Sequence, residues 1–345
     1  MLYRTDADWV IDRLRQVPRL TLGVVGDLIL DEYLFGDVRR ISPEAPVPIV
    51  EIQDRTIRPG GAANVALNLK ALGAEVYLFG VIGDDPAGYE LKAALREENI
   101  HLEGLLTDPS RPTTVKTRVV SQNQQMIRLD KEDPSPLSSP ITHQLLEALT
   151  HAEVDLDALI IQDYNKGTLT PPLIEGILRQ KGRWFLAVDP KKENFFRYQG
   201  VHLLKPNLRE AREALGAVGE TASVTKLADV IMEQLAPEVL VITLGKEGMA
   251  LYTPEDAYHI PARSVEVYDV TGAGDTAIAF LVLGFLIGLP PESAGLLASL
   301  AAGIEIQKFG AAQVSLEELI PVIQEEWQDL AQKIRIHHKQ GGRNR

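Results

Sequence analysis

The densest chemistry in the sequence lies in Tyr268-Asp269-Val270-Thr271-Gly272-Ala273-Gly274-Asp275-Thr276. A strand-like run, Ser264–Tyr268, enters this segment, and a long apolar helix leaves it. Gly272, Ala273 and Gly274 at a helix N-terminus would present backbone N–H groups to phosphate oxygens. An aspartate among those donors has little use if the loop only binds anions. Asp275 makes sense as a base that takes a proton from a hydroxyl attacking the same phosphate. The bland alternative is a turn that merely caps a helix. Gly272–Ala277 also fits G-x-G-x-x-A, a weak dinucleotide signature, but it lies near the C-terminal end and starts no fresh βαβ unit. A second group is Arg58-Pro59-Gly60-Gly61-Ala62-Ala63-Asn64. Paired glycines before a helix allow close backbone approach to a ligand. Asn64, one turn in, offers a donor and an acceptor to sugar hydroxyls. A glycine turn with an incidental asparagine would look the same.

These residues need a scaffold, and the apolar runs supply one. Leu20–Val25, Val76–Ile82, Ala158–Ile161, Phe185–Val188, Val201–Leu204 and Val239–Leu244 lack alternation, as expected of parallel strands buried on both faces. Helical stretches lie between most of them: Ala62–Leu72, Ala87–Glu98, Pro140–His151, Pro171–Gln180, Leu208–Leu215 and Ala222–Leu235. Repeated βαβ units imply an α/β, doubly wound sheet, which binds ligands at the carboxyl ends of its strands. Two stretches break the rhythm. Asp31–Arg58, with prolines at 43, 46 and 48, reads as short extended pieces, and Pro112–Asp130 reads as a half-exposed antiparallel hairpin. Together they predict a small β subdomain inserted over the sheet. Glu132–Pro140 reads as a surface loop, Asp275–Glu305 as two buried helices, and the basic segment 333–345 as a disordered tail.

Composition narrows the function. A chain of 345 residues is long enough for two ordinary domains or one large α/β unit. With 48 acidic against 35 basic residues the net charge is −13, which argues against nucleic acid or an anionic membrane surface as a partner. Any anionic ligand must be held by a local cluster of donors. The absence of cysteine excludes disulfides, thiolate metal sites and cysteine nucleophiles. Acids interrupt the first residues and nothing approaches a membrane span, so a cytoplasmic protein is expected.

In this order and separation, the two glycine motifs resemble the paired signatures of the ribokinase-like (PfkB) carbohydrate kinases, and the resemblance runs from about Leu20 to Val322. The heptose-phosphate kinase branch is similar in further segments. These are Val25-Gly26-Asp27 through Asp31, Ile41 to Pro48, Asn123 to Asp130, Asp163-Tyr164-Asn165-Lys166-Gly167, Asp189-Pro190-Lys191 and Pro206 to Glu210. The resemblance implies a mostly parallel, doubly wound kinase domain over 1–332 with β-lid insertions at about 31–58 and 112–130. It further implies transfer of the γ-phosphoryl group of ATP to the anomeric hydroxyl of D-glycero-β-D-manno-heptose 7-phosphate, giving the 1,7-bisphosphate, with Mg²⁺ and, as in some relatives, K⁺. The resemblance is compatible with a homodimer through the lids, and it leaves open whether a separate adenylyltransferase acts downstream. In many bacteria that second enzyme, with its H-x-G-H motif, is fused to the kinase, and His337-His338 does not make the motif.

By the same resemblance Asp275 matches the catalytic base, and Gly272 to Gly274 the anion hole. Asp31, Gly60, Gly61 and Asn64 match sugar-holding positions, and Asp163 falls in a substrate-side motif. Gln125 and Arg128 lie on the lid. Lys191 resembles a substrate-phosphate or transfer-site lysine, with Arg58 and Arg128 as helpers, whereas Lys166 and Lys192 read as solvated. Lys192 stands where the family pattern has glycine. Asn207 and Glu210 match an N-x-x-E element that organises Mg²⁺ through water. Thr243, Gly245 and Gly248 match the nucleotide-side loop, and Asp269, Thr271 and the Gly310 region the K⁺ site. Rival readings are another sugar kinase of the family, acting on fructose phosphate, ribose or a keto-deoxy acid, and a non-catalytic sugar-phosphate binding protein. A nicotinamide-dependent dehydrogenase is weaker, because Gly23-Val24-Val25-Gly26-Asp27 does not complete G-x-G-x-x-G.

Overall fold

The computed structural model describes residues 6–338 apart from 123, 153, 217, 218 and 220. Among these the strands are β1 (Thr21–Gly26), β2 (Leu28–Ile41), β3 (Pro48–Gly61), β4 (Glu75–Gly83), β5 (Leu105–Asp108), β6 (Thr114–Ser121) and β7 (Gln124–Lys131). They continue with β8 (Ala158–Gln162), β9 (Phe185–Asp189), β10 (Leu203–Leu204), β11 (Val239–Thr243), β12 (Met249–Tyr252), β13 (Asp256–Ile260) and β14 (Arg335–His338). One ten-stranded sheet runs β14-β13-β12-β11-β10-β9-β8-β1-β4-β5. It is parallel from β11 through β5, with β12 to β14 added antiparallel at one edge.

The missing alternation in the strands has a direct cause. Val24 and Ile160 pack into the core on one face, while Val25, Leu159 and Ile161 pack into a second core on the other. Helices Ala62–Ala71, Ala273–Leu286, Pro291–Glu305 and Leu316–Lys333 cover the first face. Ser139–Thr150, Pro171–Leu178 and Val224–Leu235 cover the second. Because Ala273–Leu286 is inside the fold, its residues from Asp275 to Gly284 are all buried. That seals the glycine turn at its start against the sheet.

The lid is a separate sheet in the order β3-β2-β6-β7. Pro112–Asp130 does form an antiparallel hairpin, β6 with β7. Asp31–Arg58 departs from expectation: it holds two long strands, β2 and β3, of fourteen residues each. The prolines at 43, 46 and 48 sit in the connection or at the first position of β3, where a missing N–H harms the ladder least. The two hairpins are joined by parallel pairing of β2 with β6, which places Asp31 beside Lys116.

Two further expectations are corrected. Ser264–Tyr268 forms no strand. It crosses the end of Pro291–Glu305, where the N–H groups of Tyr268 and Asp269 both donate to the Ile306 carbonyl, so no strand partner is in reach among the described residues. The disordered tail is also wrong over its first part. Arg335, Ile336 and His337 alternate exposed and half-buried, and the strand Arg335–His338 pairs with the otherwise open edge of β13. Residues 339–345 lie outside the described residues.

Candidate active site

The helix Ala273–Leu286 starts at Gly272, whose φ of +97° is strained for any L side chain. A Cβ there would also stand 2.9 Å from Glu305 Oε1. Gly274, by contrast, faces open space: an added Cβ would meet nothing nearer than Lys205 Nζ at 3.7 Å. The turn therefore leaves room for a phosphoryl group directly over the helix N-terminus.

Asp275 lies at the bottom of this space, 4% exposed. Its Oδ1 accepts from Gln162 Nε2 at 2.8 Å and from the Tyr164 hydroxyl at 2.7 Å, and its Oδ2 accepts from Asn64 Nδ2 at 2.9 Å. Burial pushes its pKa up to about 6, although the bonds from Asn64 and Tyr164 pull the other way. A carboxylate poised near 6 is still mostly ionised at pH 7 and accepts a proton readily. The three donors come from distant parts of the chain: the helix after β3, the end of β8, and the loop beyond β8. Beside them Lys205 and Asp189 form a buried ion pair at 2.8 Å, which sets a fixed positive charge next to the anion hole.

The residues expected on the sugar side lie at the lid base. Asp31 is buried, accepts from Arg118 Nη1 at 2.5 Å, and lies so close over Gly60 that a Cβ there would fall 2.1 Å from its Oδ2. Gly61 takes φ +61° and leaves no space for a side chain against the Asp27 carbonyl. The Asp27 carboxylate accepts from the N–H groups of Tyr164, Lys166 and Thr168. One aspartate thus fixes the loop that carries Tyr164.

On the other side of the anion hole a cavity of about 440 Å³ opens. It is lined by Thr243, Gly245 and Gly248 at one end and by Ala273 and Gly274 at the other, with Val265 and Ile306 among its apolar walls. Apolar walls that end at a helix N-terminus suit a ligand with an apolar body and an anionic tail.

The model of the pfkB family of carbohydrate kinases matches residues 22–319. The chain belongs to that family. It is 41% identical to the bifunctional protein HldE of Trichlorobacter lovleyi over 90% of this chain and 64% of that one. Against the HldE of Helicobacter pylori strain G27 it is 41% identical, over 87% of this chain and 65% of that one. The chain thus spans less than two thirds of these curated relatives. Among solved structures, phosphofructokinase-2 of Escherichia coli in complex with potassium has the same fold (TM-score 0.73, 19% identity, 91% of this chain and 98% of that one). So does ribokinase of Thermotoga maritima (TM-score 0.68, 22% identity, 89% of this chain and all of that one).

With the kinase fold established, the expected site residues sort by position. Gly272, Ala273, Gly274, Asp275 and Asn64 meet at the base, Asp31, Gly60 and Gly61 at the lid, and Thr243, Gly245 and Gly248 at the cavity. Asp269 accepts from the N–H groups of Thr271 and Gly310, which brings the three expected cation-site positions together. Asn207 and Glu210 have a structural duty that the N-x-x-E pattern also encodes. They form the capping box of helix Leu208–Leu215, and Glu210 pairs with Lys191. The carboxylates of Asp189 and Glu210 hold the Lys191 ammonium above its usual range even though burial acts the opposite way.

Other expected residues have partners of their own or stand exposed. Asp163 is 1% exposed and turned into its own loop, accepting from Asn165, Asn194 and Tyr198. Burial raises it to about 6. Its neighbour Tyr164 is the one that reaches Asp275, through its hydroxyl. Arg128 is exposed and held by Asp130, and Gln125 sits exposed near the β6–β7 turn. Arg58 donates to the Ala311 carbonyl. Lys166 is not solvated but paired with Glu132 at 2.7 Å, whereas Lys192 is exposed. Gln162, Tyr164, Lys205 and Glu305 were missed. The signals available were the position of Gln162 at the end of a strand, the place of Tyr164 in the Asp163–Gly167 segment, and Lys205 directly before Pro206-Asn207; Glu305 had none.

Proposed function

We propose that this carbohydrate kinase transfers the γ-phosphoryl group of ATP to the anomeric hydroxyl of a heptose 7-phosphate, with Asp275 as the base. The observation that carries the reading is the buried carboxylate at the floor of the anion hole, flanked by the sugar-side lid and the nucleotide cavity. The acceptor hydroxyl gives its proton to Asp275 while its oxygen bonds to the γ-phosphorus. The bond from that phosphorus to the β–γ bridging oxygen breaks, and ADP leaves. Backbone N–H groups of the turn and Lys205 face the charge that develops on the phosphoryl oxygens. The heptose acceptor is supported by the similarity to bifunctional HldE proteins, at about 40% identity over about nine tenths of this chain.

Mg²⁺ fits the chain through water. Each oxygen of Glu210 takes one partner, Lys191 or the Asn207 N–H, and keeps a lone pair that can accept from a water of the Mg²⁺ shell. When bound, the ion neutralises the nucleotide phosphates. A monovalent cation fits near Asp269 and Thr271, because both carboxyl oxygens of Glu305 are buried and without partners in this region. Exposed Ile41, Val47, Ile52, Met126, Ile127 and Leu129 on the lid support pairing of two lids in a homodimer. Among the described residues no helix is long and apolar enough to cross a membrane.

Phosphorus NMR of the product from D-glycero-β-D-manno-heptose 7-phosphate and ATP tests the reading. A second phosphate on the anomeric carbon is expected. Phosphorylation at another carbon, or equal rates on plain ribose or fructose phosphate, would move the protein to another branch.

A further inference from the structure

The inner face of the lid carries six charged side chains whose partners can be assigned from register. Residues directly opposite in neighbouring strands share a face. Asp31 stands opposite Arg58 on β3 and Lys116 on β6, and Lys116 stands opposite Asp130 on β7. One step along, Tyr33 is opposite Arg118, and Arg118 opposite Arg128. Asp31 and Tyr33 are buried, so this face looks inward over the sugar side.

Charge pairing on this face is incomplete. Arg118 is taken by Asp31 and Arg128 by both oxygens of Asp130. Arg58 reaches the Ala311 carbonyl. Nearby, Lys166 is taken by Glu132 and Lys191 by Glu210. Lys116 is half-buried and, with the described residues, makes neither an ion pair nor a hydrogen bond. Its ammonium lies 5.8 Å from the ring centre of Tyr164, the residue whose hydroxyl touches Asp275. Burial and the charge of Lys166 pull its pKa down, while Asp31 and Asp130 on the neighbouring strands pull it up without forming an ion pair with it. A half-buried cation with no carboxylate in contact, between the sugar-side aspartate and the base-bearing loop, leaves a place for an incoming phosphate.

We propose that Lys116 holds the phosphate already present on the acceptor sugar and thereby selects sugar phosphates over plain sugars. This rests on the reading of the acceptor as a sugar phosphate. It replaces Lys191 and Arg128 in that role, since both are already matched by carboxylates.

The test compares Lys116→Met, which keeps most of the stem, with the wild type on heptose 7-phosphate and on the same heptose without its phosphate. The ratio of kcat/KM between the two sugars should fall about 10- to 100-fold in the variant, the range of one charge-assisted hydrogen bond. The loss should lie mainly in KM for the phosphorylated sugar, with KM for ATP unchanged. Lys116→Arg should restore part of the ratio. A structural role would lower both sugars together and leave the ratio intact. A wild-type preference for the phosphorylated sugar that survives in Lys116→Met would overturn this assignment alone. A wild-type ratio near one would overturn both it and the sugar-phosphate reading beneath it.

Discussion

Replacing Asp275 with Asn isolates proton acceptance from everything else the residue does. The amide keeps an oxygen for the bonds from Gln162 and Tyr164, which converge on Oδ1. Its nitrogen would meet the donor of Asn64, and that conflict is relieved if the Asn64 amide turns over. Asn64 Oδ1 has only a long contact to Asn68, at 3.5 Å, so the rearrangement costs about 1 kcal/mol at most. Helix start, anion hole and cavity remain. Turnover should nonetheless fall by about 10²–10⁴, which is roughly 3–5 kcal/mol of transition-state stabilisation. The pH profile supplies an independent check. A base raised to about 6 must be deprotonated to act, so wild-type kcat should rise with pH through about 6 and level off above it. In Asp275→Asn that acid limb should vanish along with the rate. A coupled ADP-release assay across pH 5 to 8, with ATP binding measured by calorimetry, reads both quantities. Near-native turnover, or an acid limb that persists unchanged in the variant, would refute Asp275 as the base.

Tyr164→Phe removes a hydrogen bond that lowers the Asp275 pKa, so the acid limb should move to higher pH and the loss should be greater at pH 6 than at pH 8. An unshifted limb would separate Tyr164 from the base. Glu210→Gln keeps an acceptor for the cap but breaks the pair with Lys191. The Mg²⁺ concentration for half-maximal rate should rise more than KM for the sugar, and the reverse pattern would place Glu210 on the sugar side. Glu305→Gln replaces the buried carboxyl beside Gly272 by an amide of the same shape. Activation by added K⁺ should weaken, and an unchanged K⁺ titration would remove Glu305 from the cation site.

How much was legible in the sequence follows from the range of the interactions. The anion hole lies within four consecutive residues because a helix N-terminus is a local structure, and Gly272 to Asp275 announce it without help from the fold. The lid hairpin β6–β7 is equally local. The apolar runs also predicted the doubly wound sheet, since burial on both faces erases alternation in each strand separately. The surroundings of Asp275 were not legible, because Tyr164, Gln162 and Asn64 are 111, 113 and 211 residues away from it. Parallel strands joined by crossovers bring such positions together, and nothing in the local sequence records their meeting. The same holds for Asp31 beside Lys116, which depends on parallel pairing of strands from two insertions. Asp163 against Tyr164 turns on one residue of phase: neighbouring side chains diverge, and only the packed loop decides which enters the site. Ser264–Tyr268 had the composition of a strand but found a helix end in place of a strand edge. The residues that can act are thus set by local sequence, while which of them share a proton or a charge is set by tertiary packing.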